Sequence, residues 1–247
     1  MKKSFFPLLI GSLCSTSSWA IDETESLRQR SQLQPMFTSL SLDISGRSGN
    51  SDTEEYALGA YHSRRFDQHF GFVMATREYA ESNGVKSADS GFLHLRYNYY
   101  FSPSYSVEVF AQTNIDDFRS LESRELIGLA YRQELSKDQA VGIGLFNEWE
   151  EYKVNGNAEN YKQTRVNLYW VVTTELSKNA SISNTLYYQP NIEQTSDWRG
   201  FNKLSVRSKL TDKLSMSIGL LLEHDSRPVL DVKSSDVSYQ AGFSYEF

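Results

Sequence analysis

The sequence predicts an all-β fold: a transmembrane antiparallel up-and-down β-barrel of about 12 strands, with its N- and C-termini in the periplasm. Three observations predict it. The chain begins with an export signal, it alternates with period two from Phe37 onward, and it ends in an alternating aromatic strand that closes on Phe247.

Residues 1–20 read as a signal peptide. Lys2 and Lys3 form the positive n-region, and Phe5 to Leu13 is an apolar stretch too short to span a bilayer. Ser18-Trp19-Ala20 fits a small-x-small cleavage site before Ile21. A lipoprotein signal on Cys14 fits poorly, because Leu13 stands where that signal needs a small residue. Cys14 is the only cysteine, so the mature chain has no thiol for disulfides or metal sites. Loss of Lys2 and Lys3 takes the net charge from −6 to −8, which gives no electrostatic reason to bind nucleic acid.

Residues 21–36 are polar and aperiodic and read as a periplasmic N-terminal tail or a short helix. Residues 37–247 form the predicted barrel. No later segment offers the unbroken apolar run of a transmembrane helix. The mean hydropathy of −0.50 would suit a soluble protein. A barrel escapes that inference, because only alternate residues meet lipid. The 15 Tyr and 14 Phe against 5 Pro suit strands and interfacial aromatic girdles.

The clearest alternation is at Leu214, Met216, Ile218, Leu220 and Leu222, with Leu221 the exception on the polar side. Leu93 to Phe101 alternate with Phe92 to Tyr100, Val166 to Thr174 with Arg165 to Glu175, and Val237 to Phe247 with Ser238 to Glu246. A helix would scatter these apolar residues around its circumference. The strands fall at roughly 37–46, 55–65, 69–80, 89–101, 105–115, 124–135, 139–152, 163–176, 181–191, 201–210, 213–224 and 236–247, each long enough to cross a membrane at a tilt.

The connections alternate between short and long. Phe66-Asp67-Gln68-His69, Ser102-Pro103-Ser104, Ser136-Lys137-Asp138, Ser177-Lys178-Asn179 and Thr211-Asp212-Lys213 are short. Gly46–Glu54, Ala80–Ser87, Asp116–Ser123, Val154–Lys162, Ile192–Gly200 and Asp225–Ser235 are longer and polar, as external loops are. An even strand count puts both termini on the short-turn side. A soluble periplasmic β-sandwich would also alternate, but it explains neither the loop lengths nor the closing aromatic strand.

Ser48-Gly49-Asn50-Ser51-Asp52-Thr53 in the first loop, Arg96-Tyr97-Asn98-Tyr99-Tyr100-Phe101-Ser102 at the end of the fourth strand, and Asp225-Ser226-Arg227-Pro228 with Lys233-Ser234-Ser235-Asp236 in the last hairpin carry a resemblance. The chain resembles the YdiY-like family described as salt-induced outer-membrane proteins, a family defined as a domain of unknown function. The resemblance covers nearly all of the mature chain. It implies an outer-membrane barrel and no established activity, cofactor or catalytic residue.

Period two assigns charged side chains to the lumen. The candidates are Arg77, His94, Arg96, Glu108, Arg132, Glu134, Glu148, Arg165, Glu175, Arg207 and Glu223. Both signs are present, so the strongly basic lining of a channel for anionic oligosaccharides is not in view. Mixed charges either line a narrow, weakly selective channel or pair with one another and fill the barrel. Tyr245 and Phe247 are membrane-interface and assembly residues of the closing strand. The expected partners are outer-membrane lipid, lipopolysaccharide and, through that strand, the barrel-assembly machinery. The expected state is a monomer.

His224-Asp225-Ser226 is the one enzymatic lead, since a Ser needs a neighbouring imidazole as general base. The competing reading is a strand end entering a turn. His62, His69 and His94 lack metal-ligand spacing, and no cofactor motif is visible. Asp116, Asp117 and Glu122 read as one external loop shared with Arg119 and Arg124; such a loop could bind a cation, but a solvated loop is the ordinary reading. The leading expectation is a non-enzymatic barrel with a narrow pore or an envelope role under osmotic or salt stress. A substrate-specific channel comes second and a lipid hydrolase using His224 and Ser226 third.

Overall fold

The computed structural model describes residues 25–31, 34–47, 53–117, 120–229 and 233–247. The signal peptide, its cleavage site and all of Ser48–Asp52 lie outside them. One short helix precedes twelve strands: α1 (Glu25–Ser31), β1 (Met36–Arg47), β2 (Thr53–Phe66), β3 (His69–Ser82), β4 (Val85–Ser102), β5 (Tyr105–Asp116), β6 (Leu121–Ser136), β7 (Gln139–Val154), β8 (Asn157–Ser177), β9 (Ala180–Pro190), β10 (Trp198–Lys209), β11 (Leu214–Asp225) and β12 (Ser235–Glu246).

Each strand pairs antiparallel with the next, and β1 closes the barrel on β12 through Ser39–Leu42 against Glu246–Phe243. This is the predicted architecture, and the seam covers the sheet's two edges over those four residue pairs. The side chains explain why it is a barrel and not a sandwich. Along β4, Leu93, Leu95, Tyr97, Tyr99 and Phe101 are outward and exposed, while Phe92, His94, Arg96, Asn98 and Tyr100 are inward and buried. Leu58, Ile127, Leu129, Ile143, Leu145 and Ile218 continue the outward apolar band. Water would not tolerate so continuous a patch on a soluble fold, and lipid does.

Two long loops of the sequence reading are strand instead. β3 and β4 extend to a two-residue turn at Asn83-Gly84 (φ 51° and 74°), and β7 and β8 to one at Asn155-Gly156 (φ 51° and 80°). Positive φ at both central positions is the hairpin turn that Asn-Gly favours, because its twist matches that of the strands. The polar residues there belong to strands that project past the apolar band.

α1 is the short helix that the polar segment offered beside a tail, but it lies inside the barrel, with Glu25, Arg28 and Ser31 all fully buried. Seven residues are too few to hold a helix in water. Its partners in the lumen hold it.

Candidate functional site: two charged clusters in the lumen

Most of the charged inward residues among those described fall into two ion-pair clusters separated by packed rings. The first lies toward the short turns and includes α1. Glu25 Oε1 accepts hydrogen bonds from Arg96 Nη1 (3.1 Å) and Arg28 Nη1 (3.3 Å), and Oε2 from Arg132 Nη1 (2.8 Å). Arg28 also reaches the wall: Nη1 donates to Glu108 Oε1 (2.7 Å) and Nη2 to the Tyr100 hydroxyl (3.0 Å). Asn98 (2.6 Å) and the Tyr169 hydroxyl (2.9 Å) donate to Glu108 as well. Arg132 Nε donates to Glu134 Oε1 at 2.8 Å. The Ser31 hydroxyl donates to its own helix at the Arg28 carbonyl (2.8 Å), so the Tyr61 hydroxyl is the donor in their 2.9 Å contact. Seven residues of helix therefore tie together β2, β4, β5 and β6.

Burial disfavours a charged Glu25, but Arg132, Arg28 and Arg96 outweigh it and hold the carboxyl below the usual carboxylate range. His94, beside this cluster, accepts from Arg96 Nε at Nε2 (3.3 Å), so its ring proton sits on Nδ1, facing Gln112 Oε1 (3.1 Å). The ring stacks among Phe72, Phe92 and Phe110.

The second cluster lies toward the long loops and comes from strands and one loop residue. Glu148 accepts from Arg124 (2.7 Å), Arg165 (2.5 Å) and Arg199 (3.0 Å). Arg199 forks onto both oxygens of Glu150 (2.8 and 3.0 Å) and reaches Asp225 (3.0 Å). Arg165 closes onto Asp197 at 3.0 Å. Bidentate guanidinium–carboxylate pairs of this kind are the strong form of the interaction. Between the clusters, Phe110, Phe146, Tyr169, Tyr187 and Phe201 pack with Leu126, Ala130 and Val171. Leu221, the exception in the alternation of β11, packs against this group and so belongs inside.

Of the sequence candidates, His94, Arg96, Glu108, Arg132 and Glu134 meet at the first cluster, and Glu148 and Arg165 at the second. Arg207 pairs inside the barrel with Glu246 near the closing strand. Glu223 is buried on the inner face. Glu175 keeps the inward parity but is exposed near the end of β8. Arg77 is not lumenal. Phe70 and Phe72 fix the inward parity of β3 as even, so Arg77 points outward, half exposed and bonded to Asp89. Tyr245 and Phe247 are outward and exposed, in edge-to-face contact at 5.0 Å.

Sequence reasoning missed Glu25, Arg28, Asp197 and Arg199, and placed Arg124 in a loop. Arg124 already opens the predicted strand 124–135 and shares a face with Leu126 and Arg132, while Arg199 is legible once β10 is extended, on one face with Phe201. Glu25 and Arg28 carry no such signal. The proposed loop of acids is divided: Asp116 is buried, Asp117 pairs with Lys86 (2.7 Å), Glu122 lies 3.9 Å from Lys153, and Arg119 lies outside the described residues. Among the described residues no group of three or more His, Asp or Glu could hold a metal.

His224 and Ser226 do not bond to each other. His224 Nδ1 contacts the Ser235 hydroxyl at 2.8 Å, and the Ser226 hydroxyl donates to the Ser196 carbonyl at 3.1 Å. Ser235 is the registered cross-strand neighbour of His224, as Thr38 is of His62, which it meets at 2.9 Å. Both are ordinary cross-strand pairs of the kind that stabilise a sheet.

A closed barrel of twelve antiparallel strands, apolar outside and charged within, is an outer-membrane-type β-barrel. The chain belongs to the family of proteins of unknown function DUF481, whose profile matches residues 40–247. Among solved structures it is similar to a NanC porin, with a TM-score of 0.52 and 14% identity over 85% of this chain and 98% of that one. It is also similar to the translocator domain of the autotransporter NalP from Neisseria meningitidis, with a TM-score of 0.51 and 10% identity over 90% and 95%. A KdgM porin matches with a TM-score of 0.49 and 14% identity over 86% and 99%. Identities this low speak for the fold alone. No curated protein matches the chain.

Proposed function

We propose that this protein is a narrow outer-membrane pore held shut by α1, and not an enzyme. The carrying observation is that Glu25 and Arg28, both fully buried, are bonded to three strands of the wall. Around them the lumen is lined by rings: Phe37, Tyr61, Phe70, Phe72 and Tyr100 on one side, with Leu27 of α1 packed against them, and the Phe110–Phe201 group on the other. Any passage past the helix is narrow, and the helix stands in it. The separation of His224 from Ser226 leaves the hydrolase reading without its general base.

The same reading takes the chain to the outer membrane by a signal peptide cleaved after Ala20. It puts the short turns and both termini in the periplasm, so that α1 enters the barrel from there. The closing strand through Tyr245 and Phe247 would engage the assembly machinery, and the outward rim would meet lipopolysaccharide. A pore that is closed at rest is compatible with a role in osmotic or salt stress, which is the role the family resemblance implies.

Planar bilayers test this. Wild-type protein is expected to be almost silent, and Glu25→Gln with Arg28→Gln, which removes the ionic hold on the helix, to show discrete conductance steps. A wild type that conducts steadily, or a double variant as silent as wild type, would overturn the proposal.

A further inference from the structure

We infer that α1 occupies a binding site for a small zwitterion, of the α-amino acid class, and that its Glu25 and Arg28 stand in for that ligand's two charges. The inference rests on the helix being removable, as proposed above, and adds the chemistry of what replaces it.

The site is defined by what the wall offers. Arg96 and Arg132 each donate to a different oxygen of the Glu25 carboxylate, at 3.1 and 2.8 Å. Glu108 and the Tyr100 hydroxyl accept from the Arg28 cation at 2.7 and 3.0 Å. The wall therefore has a carboxylate half and a cation half side by side. The helix satisfies both with charges that are themselves only 3.3 Å apart. A carboxylate and a cation that close are carried on one small molecule by an α-amino acid.

Charge balance selects the same class. Without α1, the wall keeps Arg96 and Arg132 against Glu108 and Glu134, which is neutral. A zwitterion restores the ionic pairings that Glu25 and Arg28 made with the wall. A simple anion would satisfy the arginines but leave Glu108 without its 2.7 Å partner Arg28, with only the longer 3.6 Å approach of Arg96 as counter-charge, and weakening a buried ion pair from one side is costly. The wall also holds a spare donor: Arg96 Nη2 is buried and has no hydrogen-bond partner. An acceptor larger or differently placed than the Glu25 carboxylate would engage it.

The experiment uses the full chain folded in detergent micelles, with glycine, acetate and methylammonium as probes in titration calorimetry. Glu25→Ala with Arg28→Ala empties both halves without touching the wall. Glycine is expected to bind this variant saturably, to bind wild type far more weakly, and to lose binding when Arg132→Ala is added. Acetate and methylammonium are each expected to bind at least tenfold more weakly than glycine.

If the double variant does not fold, a single Leu27→Cys change in the otherwise wild-type mature chain gives a second reading. Glycine, competing with the helix, is expected to speed maleimide labelling at that position, while acetate and methylammonium do not. Acetate acting as well as glycine would overturn the zwitterion class, and no response to glycine in a folded protein would overturn the site. Neither result bears on the conductance of the Glu25→Gln, Arg28→Gln protein, so the ligand and the plug fail separately.

Discussion

The lumen holds two ion-pair clusters that look alike in composition and differ in construction. Each brings three buried arginines onto buried glutamates. In the long-loop cluster every arginine and Glu148 come from strands of the barrel, so the cluster exists whenever the barrel does. In the short-turn cluster, one arginine and one glutamate come from α1, which no strand pairing holds in place. Buried charge of the first kind fastens the wall to itself. Buried charge of the second kind fastens a separate segment to the wall, and it can be undone without unfolding the sheet.

That difference sets the largest expected effect. Glu148→Ala removes the carboxylate common to Arg124, Arg165 and Arg199 and breaks a buried pair at all three at once, leaving them only Glu150, Asp197 and Asp225. Breaking a buried pair from one side costs about 3–5 kcal/mol. Urea unfolding of the detergent-folded barrel should move by that amount, and a shift within error of wild type would show that Glu148 does not hold the wall.

Glu25→Gln should cost the barrel less, about 1–2 kcal/mol, on the scale of lost charge-assisted hydrogen bonds. The helix can leave, and Arg96 and Arg132 keep Glu108 and Glu134 as partners. The effect should appear in the helix instead: Leu27→Cys combined with this change should label with maleimide faster than Leu27→Cys alone. Equal losses of stability from Glu25→Gln and Glu148→Ala would erase the distinction between the clusters.

Acid should act on the same joint. The Glu25 carboxyl titrates lower docked than free, because the three arginines outweigh its burial. A carboxyl lowered on docking favours the docked state fully above the ordinary carboxylate range, and that contribution fades as pH falls below it. Exposure of position 27, read as the mobility of a nitroxide attached to Leu27→Cys, should therefore be low and flat at neutral pH and rise only in strong acid. A rise near neutrality would mean that some other group controls the helix.

The two clusters were not equally legible in the sequence. Alternation alone located Arg96, Glu108, Arg132, Glu148 and Arg165, because a strand with one face in lipid must turn its charges inward. It failed at strand ends. There the strand ends running to Asn83-Gly84 and to the turn at Asn155-Gly156 read as long loops, Arg199 fell outside its strand, and Arg124, first in the strand 124–135, was read with the loop before it. It failed at Arg77 for a different reason. The inward positions of β3 are held by Phe70 and Phe72, so charge did not mark the inner face in that strand. Glu25 and Arg28 were illegible in principle: a seven-residue polar helix is indistinguishable from a tail until the complementary charges of a distant wall are in place.

Arg77 also supplies the smallest expected effect and the clearest contrast with the lumen. It and Asp89 form an ion pair as Arg132 and Glu25 do, but Arg77 is half exposed on the outer surface and its partner lies next to Lys86, which bonds to Asp89 at 2.6 Å. Arg77→Gln leaves Asp89 with that second cation, and exposed pairs contribute about 0–1 kcal/mol. Unfolding, helix labelling and bilayer conductance should all stay at wild-type values. If Arg77→Gln altered conductance, the outer face would have to reach the passage, and the parity that places β3's rings inside and this arginine outside would be wrong.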